Sequence, residues 1–137
     1  MFSQTKALAA QIEEDYDAIY ELLTDALIGF HRDLSCDQTE CQKSTECMAS
    51  IRKTMGRLVP KATMLFSTQQ SAMKPVYTRD KYEFHCEKHG DLMELILGGI
   101  KQFNDDQCCK QIALHLEMVL ALLQDYREMT RAEMSLG

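Results

Sequence analysis

Apolar residues return every three or four positions along four long stretches of this 137-residue chain, with almost no strict alternation anywhere. That period belongs to the α-helix, so the pattern calls for helices that each bury one stripe and leaves little for a sheet. The first stripe, Leu8, Ile12, Tyr16, Ile19, Leu23, Leu27 and Phe30, predicts a helix over about residues 3–30. The second, Met48, Ile51, Met55, Leu58, Ala62, Leu65, Gln69 and Met73, predicts one over about 46–73, with Ser44 or Thr45 as its cap. Pro60 lies inside it and has no N–H for the Gly56 carbonyl, which predicts a kink. A third helix is expected over about 79–103, weakened by Gly98 and Gly99 at up to about 1 kcal/mol each. The fourth, with Ile112, Leu116, Val119, Leu120, Leu123 and Tyr126, spans about 107–134. Four helices joined by short loops imply an all-α, up-down-up-down four-helix bundle, one domain over residues 1–137.

Charge and cysteine content narrow the function classes. A net charge of −6 argues against nucleic acid or an anionic membrane as partner. No apolar run reaches the roughly 18 residues of a membrane span. The N-terminal MFSQTKALAAQIEEDYD lacks an apolar signal core, so a cytoplasmic location is expected. There the six cysteines would stay mostly reduced, which favours metal or redox use over structural disulfides. No nucleophile–base pair, phosphate loop or paired acid–base carboxylates stand out, so enzymatic activity is not expected.

Two features carry possible chemistry. His85 and His89 are one helical turn apart on the face continued by Leu92, Ile96, Gly99 and Phe103, so both imidazoles should point into the core. Buried rings need hydrogen-bond partners or a metal. His115, beside the fourth stripe, reads instead as solvated or partner-facing. Separately, Cys36, Cys41 and Cys47 lie in or beside the first loop, and Cys108 and Cys109 open the fourth helix. In an up-down bundle these five thiols and His31 gather at the end opposite His85 and His89. They could hold zinc or an iron–sulfur cluster, pair reversibly as a redox switch, or do neither.

From Leu65 to Phe103 the sequence resembles the hemerythrin family, four-helix bundles that carry a non-haem di-iron site and bind oxygen. His85-Cys-Glu-Lys-His89 matches the family's His-x-x-x-His opening of a helix, with Met73 and Tyr77 in the preceding loop context. IEEDYDAIYELLTDAL, from Ile12, looks like the family's first-helix pattern, and LALLQDY, from Leu120, looks like its fourth. On this register the family's ligand positions hold Tyr16, Leu65, Gln69 and Leu120, while His85, His89 and Asp125 keep ligand identities. Leu65 and Leu120 can bind no metal, so an ordinary oxygen carrier is not implied.

What the resemblance implies is a divergent site. His85, His89, Asp125 and Tyr16 would hold a metal, with Gln69 beside them. The metal would be non-haem iron, mononuclear or as an altered di-iron centre, or zinc. The protein would then respond to oxygen, nitric oxide or redox state and pass the change to a protein partner. The alternative is a metal-free bundle serving dimerisation or partner docking, with the histidines in a polar plug formed with Asp125, Gln69 and Tyr16.

Overall fold

The computed structural model describes residues 2–32, 45–104 and 109–136. Four helices account for all of them except 74–78: α1 Phe2–Arg32, α2 Thr45–Met73, α3 Arg79–Asn104 and α4 Cys109–Leu136. No strand occurs among the described residues. The boundaries lie within about two residues of those expected from periodicity, which is how far helix ends fray. Ser44, one candidate cap of α2, lies outside the described residues; the helix starts at the other, Thr45.

Each helix packs on two others, α1 on α2 and α4, and α3 on α2 and α4. Cross-links give the direction of each pair. Tyr16, near the middle of α1, reaches Gln69 late in α2, and Arg127, late in α4, reaches Glu13 in the first half of α1. His85, early in α3, reaches Glu133 at the far end of α4. Neighbouring helices therefore run antiparallel, as an up-down-up-down bundle requires.

The expected stripes form the core. Ile12, Tyr16, Ile19, Leu23 and Leu27 are buried on α1, and Met55, Leu58, Ala62, Leu65 and Met73 on α2. Gln69, the amide inside the second stripe, is buried with them at 1% exposure. Leu92 and Ile96 of α3 meet Ile112, Leu116, Val119 and Leu123 of α4. Pro60 sits within α2 on its exposed side, and the helix continues through it.

The turn between α2 and α3 folds on the Met73 carbonyl, which accepts from the Val76 and Tyr77 amides at 3.1 and 2.8 Å. Thr78 caps α3, its hydroxyl accepting the Lys81 amide at 3.3 Å. Such a cap stabilises a helix by roughly 1 kcal/mol. This short turn places Tyr77 beside the first turns of α3, where the histidines lie.

His115 corrects the expectation of a solvated ring. Its Nε2–H donates to the Leu95 carbonyl across the α3–α4 interface at 2.6 Å. The ring lies 2.6 Å from where a Cβ on Gly99 would stand, so Gly99 is the gap that admits it. Gly98 has nothing within 4 Å of the same point. The two glycines should therefore respond oppositely to alanine. Gly98→Ala gains up to about 1 kcal/mol from helix propensity. Gly99→Ala has to displace a hydrogen-bonded ring, an overpacking cost of roughly 1–3 kcal/mol that exceeds the same gain. Urea denaturation of both variants checks the sign; equal stabilisation would show that His115 moves aside freely.

Candidate functional site

The buried centre between α2, α3 and α4 holds a continuous hydrogen-bonded chain. His85 and His89 are 0% and 3% exposed, as the four-residue spacing on the α3 core face predicted. Between them stands the Tyr126 hydroxyl of α4, 2.6 Å from His85 Nδ1 and 2.8 Å from His89 Nε2. The outer nitrogens are also engaged. His85 Nε2 lies 2.9 Å from Glu133 Oε2, and His89 Nδ1 lies 2.9 Å from Gln70 Nε2. The Tyr77 hydroxyl donates to the same Glu133 oxygen at 3.1 Å.

The charge on Glu133 sets the direction of every proton in this chain. A carboxylate only accepts, so His85 donates from Nε2, and in the neutral ring its Nδ1 then accepts from the Tyr126 hydroxyl. Having given away its one proton, Tyr126 can only accept from His89, which places that ring's proton on Nε2. His89 Nδ1 then accepts from the Gln70 amide, the orientation that amide already has. All four imidazole nitrogens are satisfied with both rings neutral. The network is complete, the condition under which buried polar groups rigidify a core.

Packing holds the same arrangement. Phe66 of α2 stacks on His89 with centroids 4.5 Å apart and planes 15° off parallel. Tyr77 and Phe84 flank His85 at 5.3 and 5.4 Å. Burial, with His85 nearby, pulls the His89 pKa down to about 4. Burial pushes the Tyr126 phenol far above its ordinary value. Tyr77 rises to about 12, through burial and through its hydrogen bond to Glu133 and the charge there.

The expected ligand set does not assemble in this form. Asp125 is exposed on the rim of a cleft, one residue and about 100° around α4 from Tyr126. The carboxylate that meets His85 is Glu133 instead. Tyr16 is fully buried, but its hydroxyl accepts from Gln69 at 3.0 Å, and burial raises its pKa steeply, opposing a phenolate. Among the described residues, no group of three His, Cys, Asp or Glu side chains is placed to hold a metal. The set His85, His89, Asp125 and Tyr16 therefore does not fit iron or zinc as the resemblance implied. The expected polar plug is present with different partners: Tyr126, Glu133 and Gln70 for the histidines, and Gln69 for Tyr16.

Glu133 and the role of Tyr126 were the residues missed. Tyr126, Thr130 and Glu133 recur at the spacing of one helix face, so the inward line of α4 carries three polar tips, two of which meet His85. Reading Tyr126 as simply apolar hid that signal. Of the expected thiol cluster, Cys36, Cys41 and Cys108 lie outside the described residues. The backbones of His31, Cys47 and Cys109 lie near helix ends, and their side chains are likewise outside what is described. Cys86 is a half-buried free thiol.

A second centre ties α1 to α4. The Arg127 guanidinium is buried, bonded to the Glu13 carboxylate and to Asp17 Oδ1, the latter at 3.1 Å. It lies over the Tyr16 and Tyr20 rings, 4.9 and 5.1 Å from their centroids. Arg131 donates to Glu13 at 2.6 Å and holds that carboxyl below its ordinary pKa.

Beside the histidine chain, α3 and α4 part to leave a cleft of about 380 Å³. Leu92, Leu95, Leu122 and Met129 form its walls, the Tyr126 ring borders it, and Lys88, Asp91 and Asp125 add charge at its edge. The cleft is mostly apolar, within the size range of ordinary ligand sites. No protein-family model, curated protein or solved structure matches the chain.

Proposed function

We propose that this chain is a non-catalytic binding module, a metal-independent four-helix bundle that receives apolar side chains of a protein partner in the α3–α4 cleft. The observation that carries this reading is the cleft itself, with Leu95, Leu122 and Met129 facing an open groove beside a rigid polar centre. Leu122 is 41% exposed, and Met118 on the same helix is 44% exposed, so apolar surface extends beyond the groove. A clustered apolar surface of this kind is how interaction sites differ from the scattered apolar residues of any surface. The histidines sit buried and joined through the Tyr126 hydroxyl rather than exposed in the cleft, which supports binding rather than catalysis.

Photo-crosslinking in cells tests the reading. A benzoylphenylalanine at position 95 should yield one discrete adduct, and the same group at Lys61, on the exposed side of α2, should yield none. Identical adduct patterns from both positions would remove the cleft from consideration. An adduct with a second copy would make the partner the chain itself.

A second reading keeps the metal. It is favoured by the convergence of His85 Nδ1 and His89 Nε2 on one point, with their outer nitrogens held by Glu133 and Gln70. A carboxylate at the outer nitrogen, as Glu133 is for His85, is typical of metal-bound imidazoles, while the Gln70 amide would have to turn its oxygen toward His89. Binding there would have to displace or deprotonate the Tyr126 hydroxyl. On the metal-independent reading, a strong chelator leaves the melting temperature unchanged. A fall on chelation, reversed by iron or zinc and absent in His89→Ala, would favour the metal, because a ligand of the native state must stabilise it.

A further inference from the structure

Away from the cleft, a separate cavity of about 70 Å³ lies between α1, α2 and α4. Ile12 and Met73 give it apolar walls, Tyr16, Gln69 and Thr130 give it polar ones, and Glu13 and Arg131 border it. Gln69 is 1% exposed, and its Oε1 has no hydrogen-bond partner. A buried amide oxygen left without a donor costs free energy, so a cavity beside it is where a donor belongs.

The proton directions around Gln69 decide what that donor is. Thr130, on the cavity wall, gives its hydroxyl proton to the Arg127 carbonyl at 2.9 Å, so it has none to offer Gln69. Tyr16 accepts from Gln69 Nε2 at 3.0 Å. With its nitrogen on Tyr16, the amide leaves its oxygen free, and the vacant role is an acceptor. Charge at the border is already matched, since Glu13 is bonded by both Arg127 and Arg131. A cation would have to compete with two guanidinium groups, whereas a neutral donor meets no such competition.

We propose that this cavity is a binding site for a small neutral hydroxyl compound, a short alcohol, with Gln69 Oε1 accepting its proton and Ile12 and Met73 against its carbon chain. A water molecule's share of liquid volume is about 30 Å³, so the space suits a molecule of a few non-hydrogen atoms. The best ligand efficiency known for three such atoms limits the dissociation constant to about a millimolar.

Ethanol is the probe, and the Gln69 side-chain amide, observed by NMR in the whole protein, is the reporter. Its resonance is identified by its absence in Gln69→Leu. The expected result is a shift that saturates in the millimolar range. Ala9→Leu fills the cavity from α1 while keeping the Gln69–Tyr16 bond, and should weaken binding at least tenfold. A linear shift without saturation, or an unchanged dissociation constant in Ala9→Leu, overturns the proposal. So does a persistent water contact at the amide that ethanol fails to displace, which would assign the cavity to structural water alone.

Discussion

Tyr126→Phe is expected to lose about 2–4 kcal/mol of stability although it removes a single oxygen atom. The ring stays, so packing is preserved and no large cavity opens. What disappears is the hydroxyl that meets both inner imidazole nitrogens, at 2.6 and 2.8 Å. His85 Nδ1 and His89 Nε2 are left in a dry interior, and each orphaned group costs about 1–3 kcal/mol. In a domain of this length the melting temperature should fall by roughly 10 °C. Tyr77→Phe is the control. Its hydroxyl joins the chain at Glu133, which is partly exposed and can take water in exchange, so a loss under about 1 kcal/mol is expected. Equal losses in the two variants would mean that the chain does not act through its centre.

Acidification is expected to destabilise the bundle between about pH 6.5 and pH 4, by roughly 3 kcal/mol from His89. Burial holds this ring neutral in the folded state down to about pH 4, whereas the unfolded chain protonates it near its ordinary 6.5. The unfolded state therefore binds more protons in that window, and stability rises with pH across it. Above the window the contribution is fully present, and below it the loss is complete. The groups packed against the ring are His85 on α3, Tyr126 on α4, and Gln70 and Phe66 on α2; none is an anion that would favour the charged form. Glu13 adds a loss of the same sign at lower pH, because Arg131 and Arg127 hold its carboxyl below its ordinary value. Urea denaturation across this range should show the slope in the wild type and a flatter one in His89→Gln. An NMR titration of the ring gives an independent check: a His89 midpoint near 6.5 in the folded protein would refute the account.

The elements were legible because each helix carries its own stripe. Periodicity alone placed Ile12, Tyr16, Ile19 and Leu23 in the core, and likewise Met55, Leu58, Leu65 and Gln69. The inward direction of His85 and His89 followed from the same geometry. Which groups would meet them was much less legible. Asp125 and Tyr126 are adjacent in sequence, yet a 100° step puts one at an exposed rim and the other between two imidazoles. The register drawn from the hemerythrin resemblance selected the wrong one of the pair. His115 was misread for a related reason, since its niche is the missing side chain of Gly99 on another helix.

Sequence by itself determined that the chain makes four amphipathic helices, where they begin and end, and which face of each turns inward. Those properties follow from local spacing and local sterics, which every short window of the chain carries. Only the tertiary structure decided that Tyr126 and Glu133 complete the histidine chain, that Arg127 bridges to Glu13 and Asp17, and that α3 and α4 leave a cleft. These pairings join residues as much as 114 positions apart. Their existence depends on the axial offset and rotation of one helix against the next, which no single helix encodes. A shift of one residue along α4 would have presented Asp125 to the histidines in place of Tyr126. Mutual packing of the stripes decided against it.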